Sequence, residues 1–321
     1  MMISLSVSAV LMAASLAEPL QVVSTTGMVT DIGRQVAGDR ATIVGLMGEG
    51  VDPHLYKPTA ADARAIMSAD MVLYSGLMLE GRMADTFMKA ARMGKVVYPV
   101  TELIDESQLL EPPEFAGHWD PHVWMDVAAW SLAVEAVATA LCEQAPDHCA
   151  EFQSRAAAYG KKLEQLDEYA RRSIASIPRG KRILITAHDA FNYFGRAYDI
   201  EVVGVQGLST ESEAGIEDVN RLVNLLVDRG VTAVFVESSV SDRNLRALVE
   251  GAASRGHAVV IGGQLFSDAM GRGGTYEGTY IGMIDHNVTT ITRALGGDAP
   301  PRGMFGLLSG SVSGGDNETG K

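Results

Sequence analysis

The feature that most constrains the fold is an alternation of short β-branched runs with amphipathic segments, interrupted once by a long helical stretch. Before the interruption the extended runs lie at 21–26, 41–46, 71–76 and 95–100. After it they lie at 181–187, 201–205, 233–237 and 258–261. Repeated βα units need crossover connections, which favour parallel sheets covered by helices on both faces. The pattern therefore predicts an α/β fold with two doubly wound parallel-sheet lobes.

The interruption is a single helical period from Ala150 to Ile177, which Pro178 ends. Gly160 weakens this helix without ending it. We therefore predict five regions: a signal peptide (1–17), an N-terminal lobe (18–147), a linker helix (148–177), a C-terminal lobe (178–297) and a disordered tail (298–321). The tail is expected to be disordered because it is rich in Gly, Ser and Pro and has no periodicity.

Composition limits the class of partner. With 321 residues, of which 47% are hydrophobic, the chain is long enough for roughly two domains with large cores. The formal net charge of −14 argues against a nucleic-acid partner and makes cations the more natural small ligands, although solubility alone also explains it.

The first 17 residues resemble an export signal. They carry no charged side chain and end in Ser15-Leu16-Ala17, with the small residues that an export peptidase requires. A basic start is missing, so a buried first helix remains the alternative. Because there is no Cys at the cleavage site for a lipid to attach to, we expect a soluble, unanchored protein of the periplasm.

Cys142 and Cys149 are the two cysteines of the chain. In an oxidising compartment they could close a small loop, and we predict a disulfide. The alternative is a zinc knuckle. It is disfavoured because His148 is the single histidine between the two thiols, and two thiols with one histidine do not complete a four-ligand zinc site.

An Asp-Pro-His tripeptide occurs twice, at Asp52-Pro53-His54 and at Asp120-Pro121-His122. Proline fixes its own φ and restricts the residue before it, so each histidine leaves a turn with little backbone freedom to lose on binding. Two ordinary turns are the alternative. In the same way, Asp52 and Asp120 could accept hydrogen bonds from imidazole N–H groups or merely form the turns.

Metal-capable side chains follow strands in both halves of the chain, where ligands bind in open α/β sheets. The four candidates are His54, His122, His188 and Asp268. Three imidazoles and one carboxylate suit zinc, and also manganese if the carboxylate binds through both oxygens. His118 is either an accessory ligand or a solvated loop residue. The remaining histidines, at 148, 257 and 286, are interpreted as surface or capping residues.

Over residues 20 to 296 the chain resembles the metal-specific solute-binding receptors of bacterial ABC importers (cluster A-I, TroA-like group). The resemblance rests on six motifs: DPHLYKPT (52–59), DPHVWMD (120–126), TAHDAFNYF (186–194), LSTESEA (208–214), FVESSV (235–240) and GTYIGM (278–283). It implies two α/β lobes joined by one long rigid helix, with the metal at the lobe interface on His54, His122, His188 and Asp268.

The resemblance also implies a function: capture of Mn²⁺ and/or Zn²⁺, with Fe²⁺ a further option, and delivery to an ABC permease in the inner membrane by a monomeric protein that is not an enzyme. Some manganese receptors of the family have Glu where this chain has His188. Zinc-dedicated members usually carry a His-rich loop, whereas residues 102–117 contain no histidine run.

Two alternatives belong to other functional classes. A secreted zinc hydrolase would use Asp268 as its general base, but the chain has neither a His-Glu-x-x-His helix nor a Gly-x-Ser-x-Gly elbow. An adhesin whose metal is structural would lose its fold on chelation.

Overall fold

The computed structural model describes residues 18–310, so the predicted signal peptide and residues 311–321 lie outside the described residues. The strands are β1 (Leu20–Ser24), β2 (Ala41–Gly45), β3 (Met71–Tyr74), β4 (Val96–Pro99), β5 (Ile183–His188), β6 (Glu201–Gln206), β7 (Ala233–Glu237) and β8 (Val260–Leu265). The α-helices are α1 (Gly27–Ala37), α2 (Ala60–Ser68), α3 (Ala84–Arg92), α4 (Val127–Gln144), α5 (Cys149–Ala175), α6 (Asn192–Tyr198), α7 (Ile216–Asp228), α8 (Arg243–Ser254) and α9 (Tyr280–Ala294).

The first half of the chain forms one parallel sheet with the strand order β2-β1-β3-β4. Val22 of β1 pairs with Ile43 on one side and with Met71 on the other. All three side chains are buried, as expected for strands that are covered on both faces. The sheet places the carboxyl ends of its strands along one edge.

The second half contains two parallel pairs, β5 with β6 and β7 with β8. Strand β5 lies beside β7, so that the two pairs are neighbours. All six residues of β5 are buried. The predicted α/β class with parallel sheets is confirmed for both halves of the chain.

Helix α5 connects the two halves and packs against helices from each. Its Tyr159 hydroxyl donates to Asp31 of α1, at 2.9 Å, and its Tyr169 hydroxyl lies 2.8 Å from the Thr289 hydroxyl of α9. Between residues 18 and 310 no helix, α5 included, has the length and apolarity needed to cross a membrane. Cys142 and Cys149 form the predicted disulfide, which joins α4 to the start of α5.

The prediction of a disordered tail from residue 298 is wrong for residues 298–310. The Met304 N–H donates to the buried carboxylate of Asp285, and the N–H and hydroxyl of Ser309 both donate to Glu277. Leu308 is buried against the lobe. Composition suggested disorder because a Gly- and Pro-rich segment has no periodicity of its own, but acceptors from elsewhere in the fold hold it in place.

We expect opposite effects from two glycine-to-alanine substitutions in helices. A Cβ at Gly282 would meet the backbone of Tyr276, whereas one at Gly160 would meet nothing within 4 Å. Gly282→Ala should therefore destabilise the fold by about 2–4 kcal/mol, as overpacking does. Gly160→Ala should stabilise it by about 0.5–1 kcal/mol, because it removes backbone freedom from the unfolded chain. Urea unfolding measures both, and an unaffected Gly282→Ala variant would contradict the packing described here.

Candidate metal centre

Each half of the chain contributes two of the predicted site residues. His54 follows β2 through a loop, and His122 lies in the turn before α4. His188 is the last residue of β5, and Asp268 lies three residues beyond β8. The carboxyl ends of parallel strands in the two lobes therefore face each other, and the structure brings all four residues together there.

Both Asp-Pro-His segments are tight turns closed by their own aspartate. Asp52 accepts a hydrogen bond from the His54 backbone N–H at 2.8 Å, and Asp120 accepts one from the His122 N–H at 2.9 Å. A side chain that hydrogen-bonds to the backbone two residues on is the usual aspartate turn. The repeated tripeptide thus fixes the direction in which each histidine leaves the backbone.

The four side chains converge on one point. Their candidate ligand atoms all lie within 4.8 Å of one another. His54 Nε2 lies 3.3 Å from His122 Nε2, which in turn lies 3.4 Å from Asp268 Oδ1, and Asp268 Oδ2 lies 3.2 Å from His188 Nε2. All four residues are buried. Three nitrogens and one carboxylate gathered in this way form a donor set that zinc and manganese accept.

Two carboxylates behind this set orient two of the imidazoles. Asp120 Oδ1 lies 2.7 Å from His122 Nδ1, and Glu237 Oε2 lies 2.6 Å from His188 Nδ1. Glu237 also accepts a hydrogen bond from the His188 backbone N–H at 2.9 Å. When Nδ1 carries the hydrogen that the carboxylate accepts, Nε2 is left as the atom that can bind a metal.

Several atoms that face the site lack hydrogen-bond partners. Within residues 18–310, His188 Nε2 and both carboxylate oxygens of Asp268 are buried without one. Leaving buried polar atoms unpaired is costly, so such atoms usually have a function or a ligand. A cation coordinated between the lobes would satisfy all three.

The charged groups of the site shift one another's pKa values. Burial alone would lower the pKa of His122, but the carboxylates of Asp120 and Asp268 outweigh it and raise that pKa to about 9. Burial is likewise outweighed at His188, where Glu237 and Asp268 raise the pKa well above its usual value. Burial lowers the pKa of His54 to about 3. The imidazolium charges hold the pKa of Asp268 well below its usual range despite burial. The neighbouring carboxylates therefore favour the protonated forms of His122 and His188, and a metal would compete with protons for these two imidazoles.

The histidines outside the set lie away from it. His118 is exposed and is not part of the four-residue cluster. His148 lies 3.4 Å from Glu151, while the Nε2 atoms of His257 and His286 lie 2.7 Å and 2.8 Å from backbone carbonyl oxygens. All three are half-buried, and His286 lies within α9, so neither the predicted surface role nor the capping role describes His286.

The structure separates the roles of Asp52 and Asp120, for which the sequence left two alternatives open. Asp120 closes its turn and also orients an imidazole, so both roles considered for it hold. Asp52 contacts the His54 backbone and the Thr210 hydroxyl, which supports the turn interpretation for this residue. Sequence reasoning missed Glu237: its place at the end of an apolar run was visible, but its position beside the strand that ends in His188 was not.

The sequence matches a known family and close relatives. Residues 22–294 match the family described as zinc-uptake complex component A, periplasmic (ZnuA). The chain is 47% identical over 278 residues to the manganese-binding lipoprotein MntA of Bacillus subtilis, covering 87% of this chain and 90% of that protein. It is 48% identical over 283 residues to the zinc-binding protein TroA of Treponema pallidum, covering 88% and 91%.

Solved structures agree with these matches. The periplasmic zinc binding protein TroA from Treponema pallidum superposes with a TM-score of 0.83 at 47% identity, covering 86% of this chain and 99% of that chain. Fe(III)-bound YtgA from Chlamydia trachomatis superposes with a TM-score of 0.77 at 28% identity, covering 87% and 99%.

Glu237→Gln should weaken metal binding by about tenfold or more, since carboxylates that orient ligating histidines contribute 10–100-fold to metal affinity. The variant keeps the size of the side chain but replaces one of the two acceptor oxygens, which face the backbone N–H and the Nδ1 atom of His188, with an amide N–H₂ donor. Glu201→Gln, at an exposed position, is the control and should bind as the wild type does. Competition titration against a chelator measures both. Equal affinity in the two variants would rule out the orienting role of Glu237.

Proposed function

Because this chain belongs to the ZnuA family of metal-importer substrate-binding proteins, we propose that it captures a divalent transition metal on His54, His122, His188 and Asp268. The observation that carries this assignment is the convergence of three imidazoles and one carboxylate, all buried, between two α/β lobes. The ligand set is complete at four, whereas catalytic zinc normally keeps one position for water.

Membership of this family confirms the predicted class of protein. The chain is a substrate-binding component of a metal ABC importer, and the family is not one of enzymes. The matches support neither the secreted hydrolase nor the adhesin. Substrate-binding components of this kind work with a membrane permease and an ATPase.

For the cargo we propose manganese, zinc or both, with iron as a further candidate. One relative is named as manganese-binding and another as zinc-binding, and a structural neighbour is described as Fe(III)-bound. Asp268 turns one oxygen towards His122 and the other towards His188, an arrangement that would allow it to bind manganese through both. A site of nitrogen and oxygen ligands generally binds zinc more tightly than manganese. The supply of each metal therefore also determines which one the protein carries.

We place the protein in the periplasm as a monomer that binds no nucleic acid. Export agrees with the exported class to which its relatives belong. The expected lack of a lipid anchor conflicts with the names of relatives such as MntA, which are called lipoproteins. The segment that carries this question, residues 1–17, lies outside the described residues.

For delivery we propose that the permease recognises the metal-loaded arrangement of the two lobes. The metal would crosslink the lobes, because two ligands come from each. Helix α5 packs against both halves and should restrict their relative movement to a small adjustment. X-ray scattering curves that differ strongly with and without metal would contradict a small adjustment.

Metal analysis of the protein purified from its own periplasm should find about one equivalent of bound transition metal per chain. His188→Ala should reduce affinity in competition titrations with Zn²⁺ and Mn²⁺ by orders of magnitude, because it removes one of four ligands and leaves Glu237 buried without its partner. His118→Ala is the matched control and should bind normally. Metal-free wild type, together with an indifferent His188→Ala variant, would contradict the proposed function.

Metal affinity should rise with pH through the neutral range and level off above about pH 9, near the pKa of His122. The sign follows from the raised pKa values of His122 and His188: below these values each imidazole holds a proton that must leave when a metal binds. Calorimetry in buffers of different ionisation enthalpy should find a net release of protons when a metal binds at pH 7, with His122 among the groups that release them. Binding without proton release would show that both imidazoles are neutral before the metal arrives.

A further inference from the structure

Of the four site residues, His54 is the most accessible. It is 7% exposed, compared with 0% for His122 and His188 and 2% for Asp268. His54 also lines a cavity of about 370 Å³. The walls of this cavity come from both lobes and include Leu77, Met78, Arg82, Pro121, Leu208 and Glu211. The cavity therefore joins the least buried ligand to the seam between the lobes.

The N-terminal wall of the cavity has an unusual backbone. Leu77 and Met78 are consecutive non-glycine residues with positive φ, 51° and 67°. Such conformations are costly and persist where the surroundings hold them, often at ligand clamps and switch regions. Here the buried Glu80 holds the segment before them, since it accepts hydrogen bonds from the N–H groups of Ser75 and Gly76. The backbone that leads into this wall is therefore fixed by a buried carboxylate, while the Met78 side chain is exposed.

The opposite wall is the loop of residues 207–215 between β6 and α7, and it is tied to the other lobe by two polar contacts. Arg82 Nε donates to Glu211 Oε1 at 2.8 Å, and the Thr210 hydroxyl donates to Asp52 Oδ2 at 2.5 Å. The Arg82 and Glu211 side chains are 33% and 51% exposed. A solvent-exposed ion pair is weak and is easily broken and remade, which suits a closure that opens in every cycle.

We propose that the cavity beside His54 is the path by which the metal reaches and leaves the site, and that the 207–215 loop closes this path through the Arg82–Glu211 ion pair. This inference rests on the proposed function and adds the route of exchange to it. It assigns Arg82 and Glu211 a role in the rate of metal exchange, and leaves the equilibrium affinity to the four ligands and the carboxylates behind them.

Filling the cavity tests the route. Ser209 lines it and is half-buried, so Ser209→Trp should slow both zinc uptake and zinc release by about tenfold while changing the Kd little, as expected for an obstructed gate. The matched control is Ser131→Trp, because Ser131 is also half-buried and lines a cavity of about 500 Å³ between α4 and α5, away from the seam. Release is followed by stopped flow into excess chromophoric chelator. Uptake is followed by the loss of the zinc–chelator absorbance when metal-free protein is mixed with a weak, zinc-loaded chromophoric chelator.

The outcomes of this experiment distinguish a failure of the proposed exchange path from a failure of the proposed metal-receptor function. Zinc binding by the wild type, with exchange slowed by Ser209→Trp alone, supports the route. Exchange at the wild-type rate in Ser209→Trp, or equal slowing by both tryptophans, overturns the route and leaves the metal receptor intact. Failure of the wild type to bind zinc, manganese or iron overturns the proposed function itself.

Breaking the ion pair gives a second readout that does not add bulk. Arg82→Gln should raise both exchange rates about two- to fivefold, the range expected for a surface ion pair. Charge exchange in the double variant Arg82→Glu, Glu211→Arg should restore wild-type rates. Added salt should speed exchange in the wild type more than in Arg82→Gln, since salt screens the pair. Rates that are equal in all three proteins would show that the ion pair does not close the path.

Discussion

The rest of the site depends on two short carboxylate–imidazole contacts, Asp120 with His122 and Glu237 with His188. Burying three imidazoles and a carboxylate together is unfavourable unless their charges and hydrogen-bonding atoms are compensated. The two carboxylates supply compensation from behind and determine which ring nitrogen faces the centre. Without these carboxylates, no hydrogen bond to Nδ1 would keep the Nε2 atoms of His122 and His188 directed at the centre of the site.

These contacts in turn depend on how the strands are arranged. Because β5 lies beside β7, the last residues of these strands, His188 and Glu237, are in contact at 2.6 Å. In the other lobe a tight turn achieves the same result, since Asp120 binds both the backbone N–H and the ring of His122. A pair of neighbouring strands in one lobe and a tight turn in the other thus both place a carboxylate against the Nδ1 atom of a candidate metal ligand.

The two lobes are held as one frame by contacts that cross between them. Trp124 beside the site donates from its indole N–H to the Ser267 carbonyl, and its own carbonyl accepts from the Tyr280 hydroxyl. Helix α5 adds buried contacts to α1 and α9. Against this frame the 207–215 loop contacts the other lobe through the exposed Arg82–Glu211 ion pair and the partly buried Thr210–Asp52 hydrogen bond, at the path proposed for the metal.

Periodicity alone determined the α/β class, the position of α5 and the two sets of strands, since these depend on local alternation of apolar residues. Strand ends and the repeated Asp-Pro-His turn indicated the four candidate ligands, and the family resemblance implied the same set. Only the tertiary structure revealed Glu237 as the partner of His188 and the binding of residues 298–310 by Asp285 and Glu277. These features depend on atoms far apart in the chain, and a local pattern holds no information about which distant acceptor will satisfy a given donor.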